Sequence, residues 1–528
     1  MDEGPVSAPD TSKPSWKLAP PIDAATQGLV VTGFGGLETG RALFLEIEAR
    51  TTDGAWLRAL AETAPVTAAV PPPKTEAAPD TRAAALAFTW TGLARMGLAE
   101  DALASFSRPF REGMFQEDRL RRLGDRREGK WLETVVDKGP VWSGNAPLRS
   151  GGETEEEWIE TPLTVHALLL LYTRDEADAG SWAGDVDAVL TQHGVKIVRT
   201  LPLILDVQRA GAKISREHFG FADGLSQPDP YDDGGAVTVG GARAAKDHVQ
   251  GIPLGEVVIG YVNGHGEKAP GPVVPDEKGK APAAGLVPHP QAEGFFDLGL
   301  NGSYMVVREL KQDVAEFWNS MDANTARIRE HDPKNSAHVT ADWLAERVIG
   351  RDRDGHLLCP GGKLKPDADN MPRNDFYFFK DDPHGIGCPP GSHVRRAFPR
   401  DALAPDEGSR DSLLEAANNH RILRRGRKFG PNVADYRKPD DKDRGLLFIC
   451  LNTDIARQFE FVQQTWLLNS NFATLFDEMD PLVGPEGRMT IREEPLRRTV
   501  NVKTFVQFAG GEYFFLPSIP ALRFLASR

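Results

Sequence analysis

Short apolar runs alternate with amphipathic stretches along this chain. In the first half, residues 164–173 (TVHALLLLYT) form an apolar run between polar residues, which predicts a buried strand. Residues 181–194 follow with a serine cap, helical spacing and a terminal glycine, and they predict a helix. Residues 196–205 again predict a strand. A strand, a helix and a second strand in this order are typical of a helix packed on a sheet.

The second half repeats this texture without an exact sequence repeat. Residues 301–310 predict a strand that leads into a helix at 311–321, and residues 444–452 predict a strand that leads into a helix at 453–468. The large apolar side chains of this last helix fall roughly on one face and are expected in a core; they are Ile455, Phe459, Phe461 and Trp466. We therefore expect an α+β fold of two domains, with helices packed on mainly antiparallel sheets.

Breaks in the pattern suggest the domain organisation. Residues 1–20 are expected to be a flexible tail, followed by an N-terminal half at 21–230 and a C-terminal half at 231–528. Residues from about 265 to 294 are rich in proline, glycine and charge, with few large apolar side chains. We expect this stretch to be a surface insertion near the boundary between the halves.

The composition narrows the possible partners. The 528 residues carry a formal net charge of −14, which argues against nucleic acid or an anionic membrane as the main partner. No run of about 18 apolar residues is present, and the acidic N-terminus lacks the apolar core of a secretory signal. The three cysteines fit a reducing compartment better than a disulfide framework. We therefore expect a cytoplasmic protein that binds neither nucleic acid nor membrane.

One acidic residue stands in an unusual turn. In GFADGLSQP, residues 220–228, Asp223 is flanked by Gly220 and Gly224. Glycines allow a tight turn and a close approach of the backbone to a ligand. The same pattern also suits a surface turn in which the Asp side chain bonds its own backbone. Taken alone, the stretch leaves both interpretations open.

A histidine with basic neighbours is the next candidate. In HVRRAFPR, His393 follows a Pro-Pro-Gly-Ser turn and three arginines follow it, the last being Arg400. This suggests an anionic ligand held near a metal-binding imidazole. A structural zinc site is the alternative, because His384, Cys388 and the more distant Cys359 could join His393 as ligands. The spacings H-x3-C and C-x4-H match no closed zinc module.

Two further stretches carry less information alone. RILRRG at 421–426 lies in a basic segment, and GLLF at 445–448 predicts a buried strand. The glycine-rich stretch at 28–40 lacks the G-x-G-x-x-G spacing, because Glu38 stands at the sixth position, and no P-loop lysine is present. We interpret it as a connection between strands.

Together, these stretches resemble the dye-decolorizing (DyP-type) haem peroxidases. Gly220, Asp223 and Gly224 match the G-x-x-D-G motif of that family, HVRRAFPR matches its histidine-arginine segment, RILRRG its distal-arginine segment, and GLLF its haem-lining strand. The motifs occur in the family's order. Further similarity at 86–98, 107–114 and 301–310 extends the resemblance over nearly all of the chain except the tail and the insertions.

The resemblance implies two ferredoxin-like halves with mainly antiparallel sheets and one haem b between them. His393 would be the proximal ligand of the haem iron. A metal-bound imidazole normally donates its second N–H, often to a carboxylate, and the family pattern assigns this acceptor to Asp480, with Asp477 as a substitute. Arg400 would pair with a haem propionate.

On the distal side, the resemblance assigns the peroxide chemistry to Asp223 and Arg424. Asp223 would take a proton from the first peroxide oxygen and return it to the second, and Arg424 would stabilise the negative charge that develops. Leu446 and Phe448 alternate along their strand, share one face and would wall the distal pocket. Some relatives carry a tyrosine five residues after the distal arginine as a surface electron-transfer residue, whereas this chain has Phe429.

The implied function is that of a haem b peroxidase. It would use hydrogen peroxide to oxidise phenols and anthraquinone-like dyes in one-electron steps, as a monomer or a homodimer. Chlorite dismutase-like chemistry is disfavoured, because its pocket works with an arginine and without a G-x-x-D-G acid. A haem-carrying or iron-releasing protein of the same fold, with little turnover, is the alternative from another class.

Overall fold

Eight antiparallel strands close into one barrel in the computed structural model of this protein, which describes residues 16–49, 51, 53–70, 81–146, 159–205, 214–367 and 371–528. The first half of the chain contributes β1 (Thr39–Ile47), β2 (Arg82–Phe88), β3 (Ala167–Thr173) and β4 (Val195–Ile204). The second half contributes β5 (Ser303–Gln312), β6 (Arg427–Phe429), β7 (Gly445–Asn452) and β8 (Val506–Leu516). The architecture is α+β, as predicted.

The two halves arrange their strands in the same way. The first half has the spatial order β4-β1-β3-β2, and the second has β6-β7-β5-β8. Numbered within its own half, each set of four strands therefore has the order 4-1-3-2, read from one side or the other. Short pairings join the sets and close the ring: Phe429 pairs with Leu203, and Phe515 pairs with Phe88.

Side chains from both halves fill the inside of the barrel. Alternate residues of each strand point inward, so that Phe44 on β1 and Leu447 and Ile449 on β7 belong to one buried cluster. The ring of Phe44 lies 4.7 Å from that of Trp142, between ring centroids. The space between the two sheets is therefore occupied by protein side chains. An apolar cavity lies on the outer face of the second sheet, and residues of both halves line it, such as Asp223 and His393.

Helices cover the outer faces of the barrel. The long helices are α1 (Ala55–Thr63), α2 (Glu176–Gln192), α3 (Val314–His331) and α4 (Ala341–Ile349). The Asp175 side chain caps α2 by accepting a hydrogen bond from the backbone N–H of Asp178. The predicted strands at 164–173, 196–205, 301–310 and 444–452 are confirmed within three residues. The helix predicted at 181–194 begins earlier, at Glu176, with Asp175 and not Ser181 as its cap, and the helix predicted at 311–321 extends to His331.

The predicted helix at 453–468 forms with unusually wide turns. Its two segments, Ala456–Glu460 and Val462–Leu467, have π-helical geometry. Ile455 and Phe459 pack on the outer face of the barrel, whereas Trp466 belongs to a separate cluster. The expected single apolar face is therefore divided, because wider turns rotate successive side chains away from a 3.6-residue spacing.

Two stretches expected at the surface contribute to the core. Trp16 and Leu18, in the part of the predicted tail that the structure describes, are 4% and 2% exposed, and Lys17–Leu18 pairs with residues 237–238. Residues 1–15 lie outside the described part of the chain. In the insertion at 265–294, Val274 and Ala281 are fully buried against the barrel. A few small apolar side chains in a polar segment are enough to fix it on a core built by other elements.

Shorter elements complete the described structure. The further strands are Lys17–Leu18, Arg126–Arg127, Lys130–Trp131, Trp142–Ser143, Leu163–Thr164, Asp229–Tyr231, Val237–Val239, Ala242–Arg243, Gly251–Pro253, Val273–Pro275, Phe295–Asp297, Leu358–Cys359, Gly362–Lys363, Leu423–Arg424, Gly487–Arg492 and Arg497–Val502. The further α-helices are Ile22–Ala25, Trp90–Arg95, Glu100–Ala104, Arg108–Glu112, Glu117–Leu123, Lys280–Ala283, Phe378–Asp381, His393–Ala397, Arg410–Asn418 and Ile519–Ala526, and 3-10 turns occur at Gly28–Val30, Leu254–Glu256 and Glu407–Ser409. Among the described helices, none has both the length and the apolar character needed to cross a bilayer.

Candidate active site

A deep cavity separates the second sheet from the helices that cover it. Strand β7 contributes Leu446 and Phe448, and the neighbouring short strand contributes Arg424. The short helix His393–Ala397 lines the opposite wall, and residues 217–226 close one side. Because the odd-numbered residues 447, 449 and 451 of β7 point into the barrel, its residues 446 and 448 face the cavity.

His393 is held by a buried carboxylate. Its Nδ1 atom lies 2.9 Å from Oδ2 of Asp480, and Oδ1 of Asp480 accepts the backbone N–H groups of Leu482 and Val483. Burial lowers the pKa of His393, but the Asp480 carboxylate outweighs burial and raises it overall. Burial alone would raise the pKa of Asp480, but the neighbouring His393 outweighs burial and lowers this pKa overall. The pair orients the imidazole and leaves Nε2 as the ring nitrogen available to a ligand in the cavity.

Asp223 lies on a hairpin whose backbone angles favour glycine at two positions. Gly220 and Gly224 have φ angles of +97° and +78°, a region that other residues rarely adopt. The backbone N–H of Asp223 donates to the carbonyl of Ser215, and its Oδ1 accepts the N–H of Gly224 at 2.6 Å. The turn in which Asp223 bonds its own backbone is thus present. The side chain is nevertheless 35% exposed and lines the cavity.

Arg424 faces the same space as Asp223. Its backbone N–H donates to Oε1 of Gln227 at 3.0 Å, and its guanidinium donates to the carbonyl of Leu225. The NH1 atom of Arg424 lies 4.0 Å from Oδ1 of Asp223, and each side chain is 35% exposed. The two groups are close enough to act on one small molecule without neutralising each other in a tight ion pair.

Three buried arginines form a cationic cluster at one edge of the cavity: Arg351, Arg400 and Arg421. Their described hydrogen bonds go to neutral oxygens, such as the carbonyls of Asn374 and Phe376 for Arg400. The NH1 atom of Arg421 is buried and has no partner. Burial lowers the pKa of Arg421 to about 9 and that of Arg351 to about 10. Such a cluster is expected only where an anionic group compensates the charge.

Other residues of the basic segment have structural roles. Arg425 donates to the carbonyls of Leu29 and Val30, and Arg427 donates to that of Leu37. The glycine-rich stretch at 28–40 is therefore a connection held by arginines. Phe429 is 1% exposed and lies inside the barrel, so this position is no surface relay.

The structure also decides two alternatives. Asp477 is exposed and lies 3.9 Å from Arg488, away from His393. None of the four candidate zinc ligands belongs to a metal-ligand group in the described residues, where the group found is Asp352, Asp354 and His356. A lysine, Lys363, already lies 2.8 Å from Asp352 in that group.

Several cavity residues were absent from the sequence predictions. Arg308 of β5 forms a buried bidentate pair with Asp125, with N···O distances of 2.9 and 2.6 Å. Glu217 lines the cavity six residues before Asp223. Arg351 follows α4 without any motif. Only Glu217 had a usable signal, since it stands in the same glycine-flanked hairpin as Asp223.

Sequence comparison identifies curated relatives over most of the chain. No protein-family model matches it. A dye-decolorizing peroxidase of Mycena epipterygia is 25% identical over 483 residues, which is 84% of this chain and 76% of the relative. The multifunctional dye peroxidase DyP2 of an Amycolatopsis species is 29% identical over 339 residues, covering 58% of this chain and 61% of the relative.

Solved structures share the fold. A DyP-type peroxidase of Anabaena has a TM-score of 0.67 at 22% identity and covers 98% of both chains. A dye-decolorizing peroxidase in complex with 2,6-dimethoxyphenol has a TM-score of 0.68 at 22% identity, covering 97% of this chain and 100% of that one. At this level of identity, the structural likeness establishes the fold.

Proposed function

The chain belongs to the dye-decolorizing peroxidases, and we propose that it is a haem b peroxidase which uses hydrogen peroxide to oxidise phenols and dyes in one-electron steps. One observation carries the proposal. The cavity has a carboxylate-held imidazole, His393, on its helical wall, and it brings Asp223 and Arg424 together on its other side.

The residues of the cavity fit a haem. His393 would supply the iron ligand and Asp480 would keep its ring oriented. Arg400 and Arg421 would bind the propionates, and the unpartnered NH1 of Arg421 supports this assignment. Leu446 and Phe448 would contact the apolar macrocycle and limit the distal space. When bound, the haem supplies the redox chemistry that accepts oxidising equivalents from peroxide and passes them on singly.

The distal residues would handle the proton and the charge of peroxide. Asp223 would accept the proton of one peroxide oxygen and deliver it to the other, because its carboxylate faces the cavity from a rigid turn. Arg424 would hold the negative charge that develops between these oxygens, because a guanidinium stays cationic. The side chains of Leu446 and Phe448 would exclude bulky molecules from this space.

Further attributes complete the proposal. The 4-1-3-2 order in each half of the barrel supports two ferredoxin-like halves. The three cysteines are free, which supports a reducing, cytoplasmic location. Small aromatic molecules are the proposed reducing substrates, since a solved relative is described in complex with 2,6-dimethoxyphenol.

Absorption spectroscopy and steady-state kinetics test this function. The protein, reconstituted with haem, is expected to show a Soret band that changes on addition of one equivalent of peroxide. It is also expected to oxidise 2,6-dimethoxyphenol catalytically. A Soret band without turnover would favour a haem carrier, and no Soret band after reconstitution would overturn the proposal.

A further inference from the structure

A second carboxylate shares the hairpin of Asp223. Glu217 begins a tight turn, in which the N–H of Gly220 donates to its carbonyl at 3.0 Å. Its Oε2 accepts the backbone N–H of Phe219 at 2.7 Å, and its Oε1 accepts that of Phe221 at 2.8 Å. The carboxylate thus fills the inside of the turn and fixes the backbone that leads to Asp223.

This hairpin is anchored on the second half of the protein. Phe219 stacks on Phe317 and Phe221 stacks on Trp318, with ring centroids 4.5 and 6.3 Å apart. Trp318 also donates its indole N–H to the carbonyl of Phe219 at 3.1 Å. These contacts anchor the aromatic side chains of the loop, while the Glu217 carboxylate holds the backbone N–H groups between them.

The partner of Glu217 suits both of its protonation states. Nε2 of Gln312, at the end of β5, donates to Oε2 of Glu217 at 2.7 Å, while Oε1 of Gln312 is buried without a partner. An ionised carboxylate accepts from the amide nitrogen in this arrangement. A protonated carboxyl would instead donate to the amide oxygen after rotation of the amide, so the same contact survives a change of charge.

The surroundings of Glu217 place the loss of its proton in the neutral pH range. Glu217 is half-buried and its accessible part faces the cavity. Burial raises its pKa to about 7, the N–H donors of Phe219, Phe221 and Gln312 oppose this effect, and the charge of Asp223 adds to it.

Resting on the proposed function, we propose that Glu217 is a positioning residue for Asp223 whose gain or loss of a proton sets the charge felt by a ligand on the distal side. Two carboxylates then face the distal space above the transition and one faces it below. An anion bound there is repelled more strongly when Glu217 is ionised, because like charges in a partly buried site interact across a reduced dielectric.

The cavity contains other charged or titratable groups besides Glu217. They are Asp223, the Asp125–Arg308 pair, Arg351, Arg400, Arg421, Arg424, His393 and His420. Burial lowers the pKa of His420 from its ordinary value. His218, next to Glu217, turns its Nε2 to the carbonyl of Phe429, 2.8 Å away. A His218→Gln variant controls for its contribution.

Azide titration of the haem-reconstituted, full-length protein tests the proposal. Azide is an anion from pH 6 to pH 8.5, and its binding to ferric haem is read from the Soret band. We expect azide affinity to fall about tenfold as pH rises through about 7, and Glu217→Gln to abolish this fall. Glu330→Gln, a surface charge change, is the matched control and is expected to keep it.

Glu217→Gln loses an acceptor for backbone N–H groups, which can impair folding. A second variant therefore tests the proposal with the Glu217 carboxylate in place. Gln312→Leu removes a donor that stabilises the anion, so its transition is expected at higher pH than in the wild type. If azide affinity depended on pH in the same way in the wild type, Glu217→Gln and Gln312→Leu, the role proposed for Glu217 would be overturned, while the proposed function would stand. Failure of the wild type to bind haem would overturn the proposed function and this inference with it.

Discussion

Oδ2 of Asp480 lies 2.9 Å from Nδ1 of His393, although 87 residues separate them in sequence. The other oxygen of Asp480 is fixed by the N–H groups of Leu482 and Val483. A carboxylate held in this way gives the imidazole one orientation and one tautomer. The ring is therefore set for a ligand before any ligand arrives.

Replacing this carboxylate is expected to loosen the haem. Asp480→Asn keeps the volume but removes the charge that orients the ring, so haem should dissociate roughly 10- to 100-fold more readily. His393→Ala should lose most of the haem. Haem transfer to an acceptor apoprotein measures both effects. Full occupancy and an unchanged ferric spectrum in His393→Ala would show that another residue binds the iron.

The distal pair is expected to control the reaction with peroxide. Asp223→Asn keeps the shape of the side chain and removes the base, so the peroxide-dependent change of the Soret band should slow by roughly 10²–10⁴-fold. Haem content should stay at the wild-type level. Stopped-flow absorbance gives the rate, and Arg424→Leu is measured beside it. Wild-type speed in Asp223→Asn together with a slow Arg424→Leu would assign the step to Arg424.

The cationic cluster predicts that anions stabilise the haem-free protein. Phosphate bound beside Arg400 and Arg421 compensates buried positive charge, so about ten times its Kd should stabilise the apoprotein by about 1.4 kcal/mol. The haem-bound protein should gain little, since the propionates already fill this role. Tm values against phosphate concentration test this. Arg421→Gln should lose the effect and the exposed Arg497→Gln should keep it; equal responses would refute a built anion site.

A buried ion pair inside the barrel should matter for stability. Arg199 forms a bidentate pair with Glu309, whose side chain is 0% exposed and also accepts the indole N–H of Trp142 at 2.9 Å. Arg199→Leu leaves an unpaired buried charge and should cost about 3–5 kcal/mol of unfolding free energy. Urea denaturation of the apoprotein measures the loss. Arg199→Leu/Glu309→Gln should recover most of it, because the amide still accepts from Trp142; no recovery would contradict the charge argument.

Local patterns predicted the strands and helices well, and the family motifs predicted the main features of the cavity. Strand β3 is a continuous apolar run. In β7, Leu446 and Phe448 face the cavity and the residues between and beyond them face the barrel interior, so both patterns can be read from nearby residues. The pairing of His393 with Asp480 was available only through the resemblance, since 87 residues separate them. Motifs order such residues along the chain, while the fold brings them together.

The features that sequence reasoning missed depend on contacts between distant segments. The closure of the barrel depends on pairings as short as Phe515 with Phe88, and no local periodicity encodes such a contact. Arg351 belongs to the cationic cluster only because the loop after α4 reaches the cavity. The two sheets bury their apolar inner faces against each other, so the cavity that both halves line lies outside the barrel.

The pairing of β2 with β8, which closes the barrel, can form only late in biosynthesis. Strand β2 pairs with β3 on one side, but its other edge finds its partner in β8, at the far end of the chain. A ribosome must therefore complete nearly the whole polypeptide before that edge is covered. Unpaired edges invite association between nascent chains. The sequence of β2, RAAALAF, is rich in alanine, which favours strand pairing poorly, so the edge exposed longest during synthesis is also a weak template for aggregation.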